Sequence, residues 1–199
     1  MVSPVDDNEA ALPDYGRRPD DHAEFRLAQL LLLLEVCSEK EARLELDRLG
    51  VVDFLAANPF LLISDTDRSF HRLRLAGFGA HSLTYAAPGH RFATRRSRLQ
   101  HDIALLVAYG LATVRIGDGR RYYTMTESGA LLAGALSSTY ADAYRLSAAE
   151  VLNRVRKLSD RALRREFRSW LRADPALFEL LWQDVAISRI AKIGARRDD

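Results

Sequence analysis

The side chains able to do chemistry in this chain are few and scattered. Five histidines, His22, His71, His81, His90 and His101, lie far apart. None has a partner three or four residues away that would complete a zinc site on a helix. His101 beside Asp102 offers the elements of an acid/base pair, but adjacent helix residues diverge by about 100° and do not face each other. The single cysteine, Cys37, closes an apolar run, which is the setting of a buried thiol rather than a nucleophile. No G-x-x-x-x-G-K-S/T phosphate loop, no G-x-G-x-x-G and no G-x-S-x-G elbow occurs. The pattern names no catalytic residue, no metal ligand and no cofactor site, and points to a protein that works by binding.

What the chain does carry is arginine in clusters. Its net charge is only +2, yet residues 1–53 hold 13 Asp/Glu against 6 Lys/Arg, while residues 89–121 hold 7 Arg against 2 acids. Residues 154–172 hold 8 Lys/Arg against 2 acids. An acidic end and two basic faces can steer a polyanion or a complementary protein. Arg91, Arg95, Arg96 and Arg98 sit at the N-terminus of one predicted helix, and Arg115, Arg120 and Arg121 lie on a predicted hairpin. Guanidinium forks there suit phosphates and guanine edges. Arg161, Arg164, Arg165 and Arg168 recur at helical spacing and share one face. Such a stripe is either a solvated face or a contact to DNA phosphate or an acidic protein.

The elements that position these residues read mainly as helices. With 199 residues, 48% of them hydrophobic, the chain can bury a core without disulfides, and one cysteine suits a reducing cytoplasm. Residues 1–20 lack the features of a signal peptide and read as a flexible tail. From Asp21 to Val36 the sequence predicts a helix with almost no polar face. Such a helix is the centre of a domain or an interface, with Leu30, Leu31 and Leu34 as contacts. Its apolar run is far shorter than the ~20 residues of a membrane span.

Ser38 with Glu41 has capping-box spacing and predicts a second helix that stops near Asn58, before Pro59. Residues 64–78 suggest a short helix closed by Gly77 or Gly79, then a strand Ser82–Ala86 and a Pro88–Gly89 turn. Ser97 with Gln100 predicts the start of a helix that places Leu99, Ile103, Leu106 and Val107 inward and ends at Gly110. Its outward face is then Ser97, Arg98, His101, Ala104, Leu105 and Ala108. Alternating Ala112, Val114 and Ile116, a Gly117–Asp118–Gly119 turn and a return through Tyr122 to Met125 predict a β-hairpin. Thr126 caps a helix through Leu131, Leu132 and Leu136. Beyond it, Ser147 with Glu150, Ser159, and Asp174–Pro175 predict further helix starts, with Leu177, Leu180, Leu181 and Trp182 in their core.

Helix, glycine stop, hairpin and helix make the fold mainly α: a winged helix-turn-helix with one β-hairpin wing over residues 21–138, and a helical C-terminal annex over 139–199. In helix-turn-helix proteins the second helix reads DNA with its N-terminal residues, which here are the four arginines. The outward His101, Leu105 and Ala108 suit a protein contact instead. A stand-alone operator-binding regulator, dimeric through the leucine-rich helix, is one reading. An antitoxin-like inhibitor with an acidic N-terminal half is a weaker one.

Leu46, Leu49, Asp53, Phe54, Leu55, Asn58, Pro59 and Phe60, followed by Gly110, Leu111, Arg121, Tyr122, Thr124, Thr126 and Gly129, add a resemblance. Over residues 40–135 the chain resembles the small middle components of ABC-three-component systems. These are bacterial defence operons that encode a winged-helix-rich protein beside an SMC/Rad50-like ATPase and a separate effector. The resemblance implies a cytoplasmic accessory subunit that joins ATPase to effector in anti-phage or anti-plasmid defence, with DNA as a further ligand. It supplies no catalytic residues.

Overall fold

A computed structural model of the chain describes residues 19–79 and 88–171. In chain order these form α1 (Ala23–Glu39), α2 (Leu46–Ala57), α3 (Arg68–Leu75), α4 (Pro88–Ala108), β1 (Ala112–Gly117), β2 (Arg120–Met125), α5 (Glu127–Ala135), α6 (Thr139–Val155) and α7 (Asp160–Leu171). Short 3-10 turns occupy Pro19–Asp21 and Pro59–Leu61, so the expected tail stops short of residue 20. The rest of that tail, the expected strand Ser82–Ala86 and the expected helix from Asp174–Pro175 lie outside the described residues.

The leucine-dense run lacks a polar face because it is covered on several sides. Helix α1 packs against α4, α5, α6 and β2. Leu30, Leu31 and Leu34 are at most 2% exposed. Of the two expectations for this helix the structure takes the domain centre, and these leucines are core rather than a docking face. Each such burial contributes about 1.5–3 kcal/mol.

None of the three capping boxes expected from spacing forms. Ser38 belongs to the last turn of α1, which ends in a Schellman arrangement: Ala42 N donates to Cys37 O (2.8 Å) and Glu41 N to Ser38 O (3.1 Å), with Glu41 at φ 50°. Ser147 lies inside α6, wholly buried, and donates to Ala56 O at 2.7 Å. That hydroxyl satisfies a carbonyl at the end of α2, where Pro59 prevents further helix. The actual cap of α6 is Ser138, which accepts from Ala141 N. Expected caps that do form are Thr126, accepting from Gly129 N, and Ser159, accepting from Ala162 N.

Helix α4 also starts well before Ser97. Pro88 opens it, since a proline in the first turn forfeits no helical hydrogen bond. Its end is as the sequence predicts. Gly110 adopts φ 70°, Leu111 N donates to Leu106 O (2.9 Å), and the chain turns into the hairpin. Val107, expected inward, is partly exposed.

The hairpin pairs Ala112 with Met125 through Gly117 with Arg120. Asp118 and Gly119 both have positive φ, 51° and 71°, the type I′ geometry that an Asp–Gly pair favours. Strand β2 faces α1 and α2; β1 is the outer strand. One buried cluster then joins α1, α2, α4, α6 and α7. Phe54, Phe92 and Phe167 meet edge to face within it, at centroid separations of 4.7–6.3 Å. Helices α6 and α7 thus share the core of the preceding elements, across the division expected at residue 138. The architecture is mainly helical with one two-stranded antiparallel hairpin, a layout compatible with a winged helix. No helix of the described residues is long and apolar enough to cross a membrane.

Two glycines of α5 separate packing from propensity. A Cβ on Gly129 would sit 2.0 Å from Leu111 O and 2.7 Å from Met125 Cγ, whereas nothing lies within 4 Å of one on Gly134. Gly129→Ala is expected to destabilise the protein by about 1–3 kcal/mol, and Gly134→Ala to stabilise it by about 0.5–1 kcal/mol. Urea unfolding midpoints of the two variants test this pair; equal shifts of one sign would refute the close contact.

Candidate functional site

Two of the four arginines at the head of α4 are used to hold the fold. Arg95 lies four residues before Leu99 and so shares the inward stripe of Leu99, Asp102, Ile103 and Leu106. Its guanidinium takes both carboxylate oxygens of Asp53 on α2, with Nη2 to Oδ1 at 2.8 Å, and also donates to Gln29 Oε1 on α1. The Tyr144 hydroxyl of α6 donates to the same Asp53 oxygen at 2.9 Å. Burial, with the Asp53 charge beside it, holds that phenol well above its usual range. Further along the same stripe of α4, Arg26 of α1 makes a second bidentate pair with Asp102, at 2.7 and 2.9 Å. Arg96 pairs with Asp47 and donates to Leu46 O.

Arg95 and Arg96 therefore do not present free guanidinium groups to DNA, which corrects the expectation for both. Arg98 lies 3.3 Å from Asp21, and Arg91 lines a cleft of about 260 Å³ with Arg26, Arg95 and Arg98. A sequence signal for this network existed. Asp53 stands in an unbroken apolar stretch and Asp102 in an apolar helical stripe, and a carboxylate in such a place needs a buried cation.

The other sequence-predicted residues are on the surface. Arg115 and Arg121 are exposed on the hairpin, and Arg120 reaches back to Glu45. Arg161, Arg164 and Arg165 are exposed on α7, with Arg165 3.3 Å from Glu166, and Arg168 is half-buried. His101 and Ala108 are exposed on α4, and Leu105 is half-buried. Among the described residues no group of three or more His, Cys, Asp or Glu stands together as a metal site. Burial pushes the Cys37 thiol up to about 12.

Exposed apolar side chains that the sequence reading missed lie on the hairpin and on the elements either side of it. Tyr109 at the end of α4 is 65% exposed, Ile116 on β1 78% and Leu131 on α5 73%, with Val114 and Leu132 partly exposed. Helix α5 is pinned so that these side chains stay outward. Thr126 Oγ1 donates to Gly110 O at 2.6 Å, and Gly129 sits against Leu111 O. At the other end Arg145 donates to Ala133 O and Leu136 O, at 2.7 and 2.9 Å, while holding Glu35 of α1. The clue in the sequence was the composition of α5, E-S-G-A-L-L-A-G-A, which has no polar face after its first turn.

Residues 77–173, just under half of the chain, match the model of a protein family described as ABC-three component (ABC-3C) system Middle Component 2. The matched stretch holds the Gly110–Gly129 part of the resemblance; Leu46 to Phe60 lie before it. No curated protein and no solved structure matches the chain.

Removing Asp53 leaves Arg95 buried without its counter-charge and Tyr144 without its acceptor. Asp53→Ala is expected to cost about 3–5 kcal/mol, and Arg115→Ala less than about 0.5 kcal/mol, both read from denaturant midpoints. Comparable losses would mean that the ion pair does not hold the core. Cys37 is expected to resist a thiol reagent at neutral pH until the protein unfolds, with modification tracking the denaturation curve; rapid labelling of the folded protein would contradict its burial.

Proposed function

We propose that this chain is the middle component of an ABC-three-component system, a subunit without catalysis of its own that joins an SMC/Rad50-like ATPase to an effector encoded with it. In this reading the hairpin and the helices around it form a winged helix used for docking, in a complex that acts against phages or plasmids.

The observation that carries the proposal is where the exposed apolar surface falls. Tyr109, Val114, Ile116, Leu131 and Leu132 all lie within the stretch that matches the middle-component family. Scattered apolar residues on a monomer mean little, but several on successive elements fit the desolvated centre of a protein interface. Helix α4 adds the exposed Ala104, Val107 and Ala108. An operator-reading regulator is less well served. Arg95 and Arg96, two of the four arginines at the head of α4, are engaged in ion pairs within the fold.

The test is a tagged pull-down from cells expressing the whole operon, with Ile116→Asp and Leu131→Asp beside the native chain. Native protein is expected to recover the ATPase in fixed ratio, and the double variant to lose most of it while melting at an unchanged temperature. Recovery of the native chain alone, or equal recovery by the variant, would overturn the docking role of this face.

A further inference from the structure

Three turns converge on the face of the molecule where the C-terminal ends of α1 and α6 meet the tip of the hairpin. They enclose an open groove of about 730 Å³. Six cations line it, Lys40, Arg43, Arg48, Arg120, Arg156 and Lys157, against the carboxylates Glu41, Glu45 and Asp160. Two of the six fasten the turns together. Arg48 of α2 donates to Asp160 Oδ1 at 2.8 Å and to the carbonyls of Val155 and Leu158, fixing the α6–α7 turn. Arg120 at the hairpin tip holds Glu45 in the α1–α2 loop. The other four, Lys40, Arg43, Arg156 and Lys157, are exposed and have no carboxylate partner among the described residues.

We infer that this groove binds the phosphodiester backbone of duplex DNA, without regard to sequence. Its cations sit on turns already locked by Arg48 and Arg120, so little ordering entropy opposes binding. Phosphates need only such donors, whereas a protein partner needs an apolar anchor, and the groove's Leu44 is already buried in the core. A single-stranded nucleic acid needs a run of aromatic platforms, and the lining has one aromatic residue, Tyr122, half-buried. Asn and Gln, which read adenine, are absent from the lining, and Arg48 and Arg120, which could read guanine, are engaged within the protein. Arg156 and Lys157 fall in the basic stretch 154–172 and Lys40 and Arg43 in the acidic first 53 residues, and the four come together only when the turns fold onto one another. The inference does not rest on the docking role proposed for the apolar face, which is a different surface.

Fluorescence anisotropy of the full chain with a labelled mixed-sequence duplex tests it, across about 50–200 mM salt. The native protein is expected to bind in the micromolar range at low salt, with affinity falling steeply as salt rises. The variant K40A/R43A/R156A/K157A is expected to bind at least about tenfold more weakly, with a salt slope lower by two or more. R161A/R164A/R165A on α7 should stay within about twofold of native. Unchanged melting of both variants, and retention of the ATPase by the groove variant in the pull-down, separate this result from loss of fold or of docking. No binding by the native chain, equal binding by the groove variant, or an equal loss from the α7 variant would each overturn the inference. Displacement by polyglutamate as effective as by unlabelled duplex would overturn it in favour of an acidic protein partner.

Discussion

Asp53 carries a charge at the point where four helices meet, and the described helices are arranged so that this charge is matched. Arg95 comes to it from α4, Tyr144 from α6, and Gln29 of α1 accepts a further hydrogen bond from the guanidinium. An ionised carboxylate in a dry interior is tolerable only when its oxygens are paired and hydrogen-bonded. The requirement is directional, unlike hydrophobic burial, so it fixes how far along α2 and α6 the helix α4 can lie. Leu99, Ile103 and Leu106 would pack acceptably in several neighbouring registers; the bidentate pair accepts one. The second pair, Arg26 with Asp102, repeats the constraint about two turns further along α4, between α1 and α4.

With α4 fixed, the parts that face outward follow. Gly110 ends the helix against the hairpin, Thr126 ties the hairpin's exit to that same turn, and Gly129 lets α5 lie against Leu111. Arg145 then binds the far end of α5 to α1 and α6. A helix fastened at both ends can keep leucines in water without collapsing onto the core, which is how a docking surface remains available. On another face, Arg48 and Arg120 do for the three basic turns what Arg145 does for α5.

Arginine thus serves several ends in one chain, and the division follows from position. Arg95 and Arg96 on α4, like Arg26 and Arg145, are anchored to carboxylates on other elements. Arg43, in the α1–α2 loop, and Arg156, at the C-terminal end of α6, are exposed. Arg95 and Arg98 are three residues apart and both follow the same helical rise, yet one is largely buried and the other partly exposed. Arg95, four residues before Leu99, lies on the inward stripe and meets Asp53; Arg98 lies on the outward side, 3.3 Å from Asp21.

The amino-acid sequence alone determined the features that depend on neighbours in the chain. Asp118–Gly119 set the hairpin turn, Gly110 the end of α4, Thr126 and Ser159 the caps, and the all-round apolar run a central helix. Those rest on backbone dihedrals and hydrogen bonds spanning a few residues. It misplaced the starts of α2 and α4 and read Ser147 as a cap, because a serine three residues before Glu or Gln is compatible with both a helix end and a helix interior. Which arginines are buried, which leucines stay in water and which turns meet in a basic groove were decided by tertiary structure. Each depends on a partner 40 to 110 residues away, such as Asp53 for Arg95 or Glu35 for Arg145, and spacing along the chain carries no information about such a partner.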